Sequence, residues 1–206
     1  MPLGAGVQKV EAEARRKFPS ARVIRWDRDS TSTRGAHQEL WRSFSAHESD
    51  ILVGTQMIGK GLDFPDVGLV GIVLAESQLF LPDYRAAERT FEILTQVAGR
   101  AGRRSEQRGR VVLQTYVPEH YAIRAAARHD YLDLYRRELA FRRQQAYPPF
   151  RPLIRLLYSA SNEGGVQDEA MRMGAMLDAE SKRLGLADVQ LIGPAPVLSL
   201  TGLRGR

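Results

Sequence analysis

A chain of 206 residues, 43% of them hydrophobic, can form one large or two small cored domains and is not the composition of a disordered protein. It has no cysteine, which excludes disulfides and thiolate zinc sites, its four histidines (His37, His47, His120, His129) lack ligand spacing, and no apolar run reaches the roughly 18 residues of a membrane span. The formal charge of +6 comes from 26 Arg and 4 Lys against 24 acids and is uneven, because Arg100 to Arg155 holds 13 Arg and only 5 acids.

Met1-Pro-Leu-Gly-Ala-Gly6 opens the chain without the charged region and apolar stretch of a signal peptide, so a cytoplasmic location is expected. Val7 to Phe18 spaces Val10, Ala14 and Phe18 along one face of an amphipathic helix, which Pro19 stops. Ala21 to Trp26 reads as a strand, Arg34 to His47 as a helix and Asp50 to Val53 as a second strand. Val67 to Ala75 is apolar on both faces, which predicts a central strand of a parallel sheet. A long helix from about Asp83 to Ala101 and a strand from Arg110 to Tyr116 complete the pattern of an α/β fold, an open parallel sheet flanked by helices.

Helix patterns from Glu119 to Arg128 and from Asp130 to Ala146 carry much of the arginine excess and end at Pro148-Pro149. A strand (Leu153 to Ala160), a turn at Gly164-Gly165, a helix (Val166 to Leu184) and a strand (Val189 to Ile192) then suggest a small α+β unit. The expected division is an α/β lobe over 1–118, a basic helical linker over 119–149 and the start of an α+β domain over 150–206. The arginine-rich stretch could face a phosphate backbone, which guanidinium forks bind in pairs, or could be a solvated helical surface. Trp26 and Trp41 read as packing residues, and Phe80-Leu81-Pro82 as a buried loop anchor in preference to a loop touching DNA.

Two segments could carry chemistry. Gly54-Thr-Gln-Met-Ile-Gly-Lys-Gly61 follows a strand and imitates a phosphate-binding loop, but Gly61 stands where that loop needs the Ser or Thr that holds Mg²⁺, and Pro65 interrupts the helix that should follow. In Gln96-Val-Ala-Gly-Arg-Ala-Gly-Arg103, Gln96, Arg100 and Arg103 at i, i+4 and i+7 would share one helix face, and Gly99 and Gly102 leave room for a backbone or nucleotide. Two such arginines can neutralise the charge on a transferring phosphoryl group. The bland alternative is a glycine-terminated helix with solvated arginines.

These residues carry a resemblance. Gly54-Thr55-Gln56-Met57 with Lys60-Gly61-Leu62-Asp63-Phe64-Pro65 resembles motif V of superfamily 2 helicases in the form typical of the primosomal N′ (replication-restart helicase) family, and Gln96 to Arg103 resembles its motif VI. The strand Val67 to Ala75, Tyr84-Arg-Ala-Ala-Glu-Arg89, Pro148-Pro149-Phe150, Gly193-Pro-Ala-Pro196 and Leu203-Arg-Gly-Arg206 extend the likeness over nearly the whole chain. The resemblance implies the second RecA-like lobe of a 3′ to 5′ DNA helicase acting in replication restart and primosome assembly. It further implies that Thr55, Gln56 and Lys60 contact the tracked DNA strand, although Lys60 could lie near either ligand or in water. Asp63 would sit near the ATP ribose unless it merely caps the turn before Pro65. Gln96, Arg100 and Arg103 would face ATP, with Arg100 and Arg103 as the catalytic arginines.

Partners implied by the resemblance are single-stranded and forked DNA, a first helicase lobe, other primosome proteins and single-stranded-DNA-binding protein, with no membrane. ATP and Mg²⁺ would be bound mainly by that first lobe, and the family's zinc would lie in a cysteine-rich module outside this chain. No segment here reads Gly-Lys-Thr or Gly-Lys-Ser, and neither Glu48-Ser-Asp50 nor Asp63-Phe-Pro-Asp66 follows a strand as the Asp-Glu pair of a first lobe would. The expectation is therefore a helicase fragment without ATPase activity of its own. The alternative is a non-catalytic DNA-binding or partner-docking module, and a stand-alone phosphate-loop kinase or GTPase built on Gly54 to Gly61 is the weakest reading.

Overall fold

The computed structural model of the chain describes residues 6–27, 30–31, 35–55, 66–102, 109–159, 161 and 163–196. They fall into two units that meet at Phe150 and Arg151. In the first unit the elements are α1 (Val7–Lys17), β1 (Val23–Trp26), α2 (Ala36–Ser45), β2 (Ile51–Gly54), β3 (Leu69–Ile72), α3 (Ala86–Ala98), β4 (Arg110–Leu113), α4 (Tyr121–Arg128) and α5 (Tyr131–Gln144).

Two βαβ crossovers organise this unit. β1 pairs in parallel with β2, Val23 opposite Ile51 through Trp26 opposite Gly54, with α2 between them in the chain. β3 pairs in parallel with β4, Leu69 opposite Arg110 through Ile72 opposite Leu113, with α3 between them. Parallel neighbours need such crossovers because a tight turn cannot bring the chain back to the same end. The α/β class holds, and among the described residues the strands form two small parallel sheets, not the one open sheet expected.

The expected central strand is the main correction. β3 pairs with β4 alone among the described residues, and Leu69 and Val73 are 61% and 51% exposed. Apolar character on both faces suits a strand to burial, but a central position also needs a hydrogen-bonding partner on each edge, and among the described residues β1 and β2 pair with each other and not with β3.

The core lies between α3 and the α4–α5 hairpin. Ala87, Phe91 and Leu94 of α3 pack with Ala122, Ile123, Ala125 and Ala126 of α4, Leu134 of α5 and Ala75. Alanines at three buried positions of α4 let its backbone lie close against α3. His120 caps α4, its Nδ1 accepting the Ala122 N–H at 3.2 Å, and Asp130 caps α5, accepting the Asp133 N–H at 2.9 Å. His129, at φ +53, makes the reversal between the two helices. The segment expected as a basic helical linker thus folds onto the helix that precedes it.

Trp26 is fully buried, and its indole N–H donates to His37 Nδ1 at 3.1 Å, tying β1 to α2. Trp41 is 39% exposed, a near-surface position. Phe80 corrects another expectation. It is 60% exposed, because its neighbour Leu79 turns inward against the core instead and anchors the loop.

The second unit contains α6 (Glu163–Arg183), flanked by segments without regular secondary structure among the described residues. The strands expected at Leu153–Ala160 and Val189–Ile192 are not formed among the described residues, and Ile154 and Ile192 are each 84% exposed. Extended apolar segments become strands only when another strand satisfies their N–H and C=O groups, and these two do not pair with each other. Gly164 and Gly165 lie inside the first turn of α6 rather than in a turn before it.

Candidate functional site

The loop that resembles motif V leaves the C-terminal end of β2. Thr55 is the first residue beyond that strand and is exposed, while Gln56, Lys60 and Asp63 lie outside the described residues. The chain re-enters at Asp66, whose carboxylate stands 3.7 Å from the His47 imidazole.

The second motif sits at the end of α3. Gln96 is exposed on the helix, which stops at Ala98 with Gly99 as its cap. Arg100 is therefore not on a continuing helix face, as its spacing from Gln96 suggested, but in a tight turn in which its N–H donates to Val97 C=O at 3.1 Å. The half-buried Arg100 is followed by Gly102 at φ +74, a conformation that favours glycine and cannot continue a helix. Arg103 lies outside the described residues.

The Gly102 N–H donates to Val67 C=O at 2.9 Å, so the turn carrying Arg100 is fastened to the residue just after the motif V loop. Gly109 packs so closely on Ala101 and Gly102 that an added Cβ would overlap their backbone atoms. Gly109 and Gly102 thus let the chain entering β4 lie close against the arginine turn, while a Cβ added at Gly99 would meet carbonyls of its own helix.

Sequence reasoning missed two carboxylates that hold the ends of β3 and α3 remote from this turn. Glu76 is 1% exposed after β3, and one carboxylate oxygen accepts the Tyr116 N–H at 3.2 Å. Burial opposes its ionisation, but hydrogen bonds from the Thr115 hydroxyl, its own N–H and Tyr116 outweigh that and hold its pKa below the ordinary carboxylate range. The signal was available as a lone acid ending an apolar run. Asp83 fixes the start of α3 by accepting the Arg85 N–H at 2.9 Å and pairing with Arg89 at 2.7 Å.

The arginine-rich stretch divides into internal and solvent-facing parts. Arg142 is largely buried in ion pairs with Glu88 and Glu138. Arg124 pairs with Glu119, Arg137 with Asp133, and Arg128 and Arg136 are exposed. The Arg137 hydrogen bond, with Arg124 and Arg128 nearby, holds the Asp133 pKa below its ordinary value. Among the described residues no cluster of three or more His, Asp or Glu side chains is arranged to hold a metal ion, and no helix is long and apolar enough to cross a membrane.

Residues 11–105 match the family described as helicase conserved C-terminal domain. The chain is similar to the replication restart protein PriA of Bacillus subtilis, 46% identical over 193 residues that make up 94% of this chain and 23% of the relative. The protein of that name from Synechocystis is 43% identical over 94% of the chain and 23% of its own length, and that of Treponema pallidum 41% identical over 93% and 28%. The chain thus spans about a quarter of the length of the curated relatives it matches.

Proposed function

Because the chain belongs to the replication restart protein PriA family, matching a C-terminal portion of its members, we propose that it is the second RecA-like lobe of an ATP-dependent 3′ to 5′ DNA helicase. Thr55, Gln56 and Lys60 contact the phosphates of the tracked strand in this reading. Asp63 lies by the ATP ribose, Gln96 faces the nucleotide, and Arg100 and Arg103 are the catalytic arginines at its γ-phosphate. The observation that supports the reading is the Gly102 to Val67 hydrogen bond, which fastens the arginine turn two residues beyond Pro65, where the DNA-side motif ends.

The donor set fits a triphosphate, an amide and two guanidiniums being able to spread over anionic oxygens. ATP with Mg²⁺, held by a first lobe, supplies the phosphoryl group whose hydrolysis drives the cycle. This chain's contribution is to bind and neutralise charge, and by itself it has no appreciable ATPase activity. It offers no thiolate for zinc, and none is assigned to it. We read residues 1–118 as the lobe, 119–149 as a basic helical segment and 150–206 as the start of an α+β domain whose strands are completed by partner strands. Single-stranded and forked DNA, primosome proteins and single-stranded-DNA-binding protein are the partners in a cytoplasmic setting.

The test is complementation. Purified chain alone should show no DNA-stimulated ATP hydrolysis, and joining it to a first lobe carrying a phosphate loop should restore it. Robust turnover by the chain alone would overturn the assignment.

A second reading, a DNA-binding or partner-docking module, has its own support in the flank of α5, where Tyr131, Leu132 and Tyr135 are 60%, 61% and 49% exposed beside the exposed Arg136. Such a module would bind single-stranded DNA with an affinity that falls steeply with salt and ignores nucleotide. A helicase lobe would respond to ATP once the first lobe is present.

A further inference from the structure

α5 lies beyond residues 11–105, the extent of the helicase domain match, yet it grips the helix that leads to Arg100. Arg142 Nη2 donates to Glu88 Oε2 of α3 at 2.6 Å, and its Nε donates to Glu138 Oε1 at 2.9 Å. The other Glu138 oxygen accepts the Tyr121 hydroxyl of α4 at 2.7 Å. The Arg142 guanidinium also lies over the Tyr84 ring, 5.0 Å from its centroid, just before α3 begins. The Arg142 and Glu138 side chains are 14% and 9% exposed and Glu88 is 41% exposed, so the network joining α3, α4 and α5 is largely desolvated at Arg142 and Glu138 and reaches the surface at Glu88.

A buried charge network is a poor source of net stability, since desolvation cancels much of the attraction, but it discriminates strongly between arrangements that satisfy its hydrogen bonds and arrangements that do not. The apolar core discriminates less sharply: Ala87, Phe91 and Leu94 of α3 cluster with Ala122, Ile123, Ala125 and Ala126 of α4, and the four alanines among them offer little relief with which to fix one register. Glu88 is in the first turn of α3 and Arg100 follows its last. An α-helix is stiff along its axis, so a displacement at Glu88 is delivered at Ala98, about 15 Å away at 1.5 Å per residue.

We propose that Arg142 is a positioning residue for Arg100. Its clasp on Glu88 sets the axial register of α3, while the Gly102 bond to Val67 holds the far end of the turn, so that Arg100 stands between two fixed points. This rests on the reading of Arg100 as an ATP-facing arginine for its functional meaning, but the mechanical claim stands separately.

Amide hydrogen exchange on the full 206-residue chain tests it. In Arg142→Met, exchange of the amides over 92–102 should rise about tenfold, with α1, β1 and β2 unaltered. Arg142→Lys, which keeps the charge but not the fork, should fall between, and Arg137→Met, which breaks an exposed pair on the same helix, should change nothing there. Should Arg142→Met fold poorly, Glu88→Gln preserves the shape and should give a smaller rise in the same segment. Unchanged exchange over 92–102 in Glu88→Gln, or a rise shared equally by all protected amides, would overturn the proposal. In the protein joined to a first lobe, Glu88→Gln should lower kcat for ATP several-fold with KM unchanged, and an unchanged kcat would also count against it. Absence of turnover in the unsubstituted joined protein would instead defeat the helicase reading and leave the exchange result to decide the clasp.

Discussion

Substituting Gly102 probes the turn that presents Arg100 without touching any charged group. Its φ of +74 is a conformation that costs an L-residue about 1 to 2 kcal/mol, and an alanine also narrows the unfolded ensemble by about 0.4 to 1 kcal/mol in the stabilising direction. Gly102→Ala should therefore destabilise the first unit by about 1 kcal/mol, a loss of roughly 2 to 4 °C in Tm. Two neighbours calibrate the measurement. Gly71 in β3 has nothing within 4 Å of an added Cβ, so Gly71→Ala should be neutral or slightly stabilising. Gly109→Ala would drive a methyl group into the Ala101 and Gly102 backbone and should cost the most, about 3 kcal/mol, because backbone cannot yield as a side-chain tip can. Urea unfolding followed by far-ultraviolet circular dichroism ranks the three. A Gly102→Ala protein as stable as Gly71→Ala, or a Gly109→Ala protein with no loss, would show that the turn is not built as described.

Leu94 is 3% exposed in the core between α3 and α4, and Leu94→Ala should cost about 3 kcal/mol in the same urea assay; a cost under about 1 kcal/mol would mean the core is not closed there. Asp50 receives a bidentate ion pair and a backbone N–H from Arg22, which hold its pKa at about 2. A carboxylate lowered in the folded state adds stability above its unfolded pKa and loses it as pH falls through the folded value. The stability gap between the native protein and Asp50→Asn should therefore be constant above about pH 4 and close as pH falls towards 2. A carboxyl resonance of Asp50 that titrates near its ordinary value would refute the pairing.

What was legible in the sequence followed from local periodicity. α1 through α5 and the four short strands sit where apolar spacing and turn residues indicated, while the roles of Thr55, Gln96 and Arg100 rest on motif resemblance. Errors arose where distant chain decides the outcome. Val67 to Ala75 has the composition of a central strand, but a strand's position depends on its neighbours. Leu153 to Ala160 and Val189 to Ile192 have strand character without a paired strand among the described residues. The helix expected to reach Ala101 ends at Ala98, since Gly99 and the left-handed Gly102 outweigh the continuing i, i+4 pattern of Gln96 and Arg100. The Arg142 clasp was invisible because Arg142 and Glu88 are 54 residues apart, and an arginine in a basic stretch carries no mark of burial.

In the proposed function Arg100, in the turn after α3, meets ATP as a catalytic arginine. This role is tested most directly by single-turnover ATP hydrolysis in the protein formed by joining this chain to a first lobe, comparing the native sequence with Arg100→Ala at saturating single-stranded DNA. The rate of the chemical step should fall about a thousandfold in Arg100→Ala, with nucleotide binding little changed. Hydrolysis at the native rate in Arg100→Ala would contradict it.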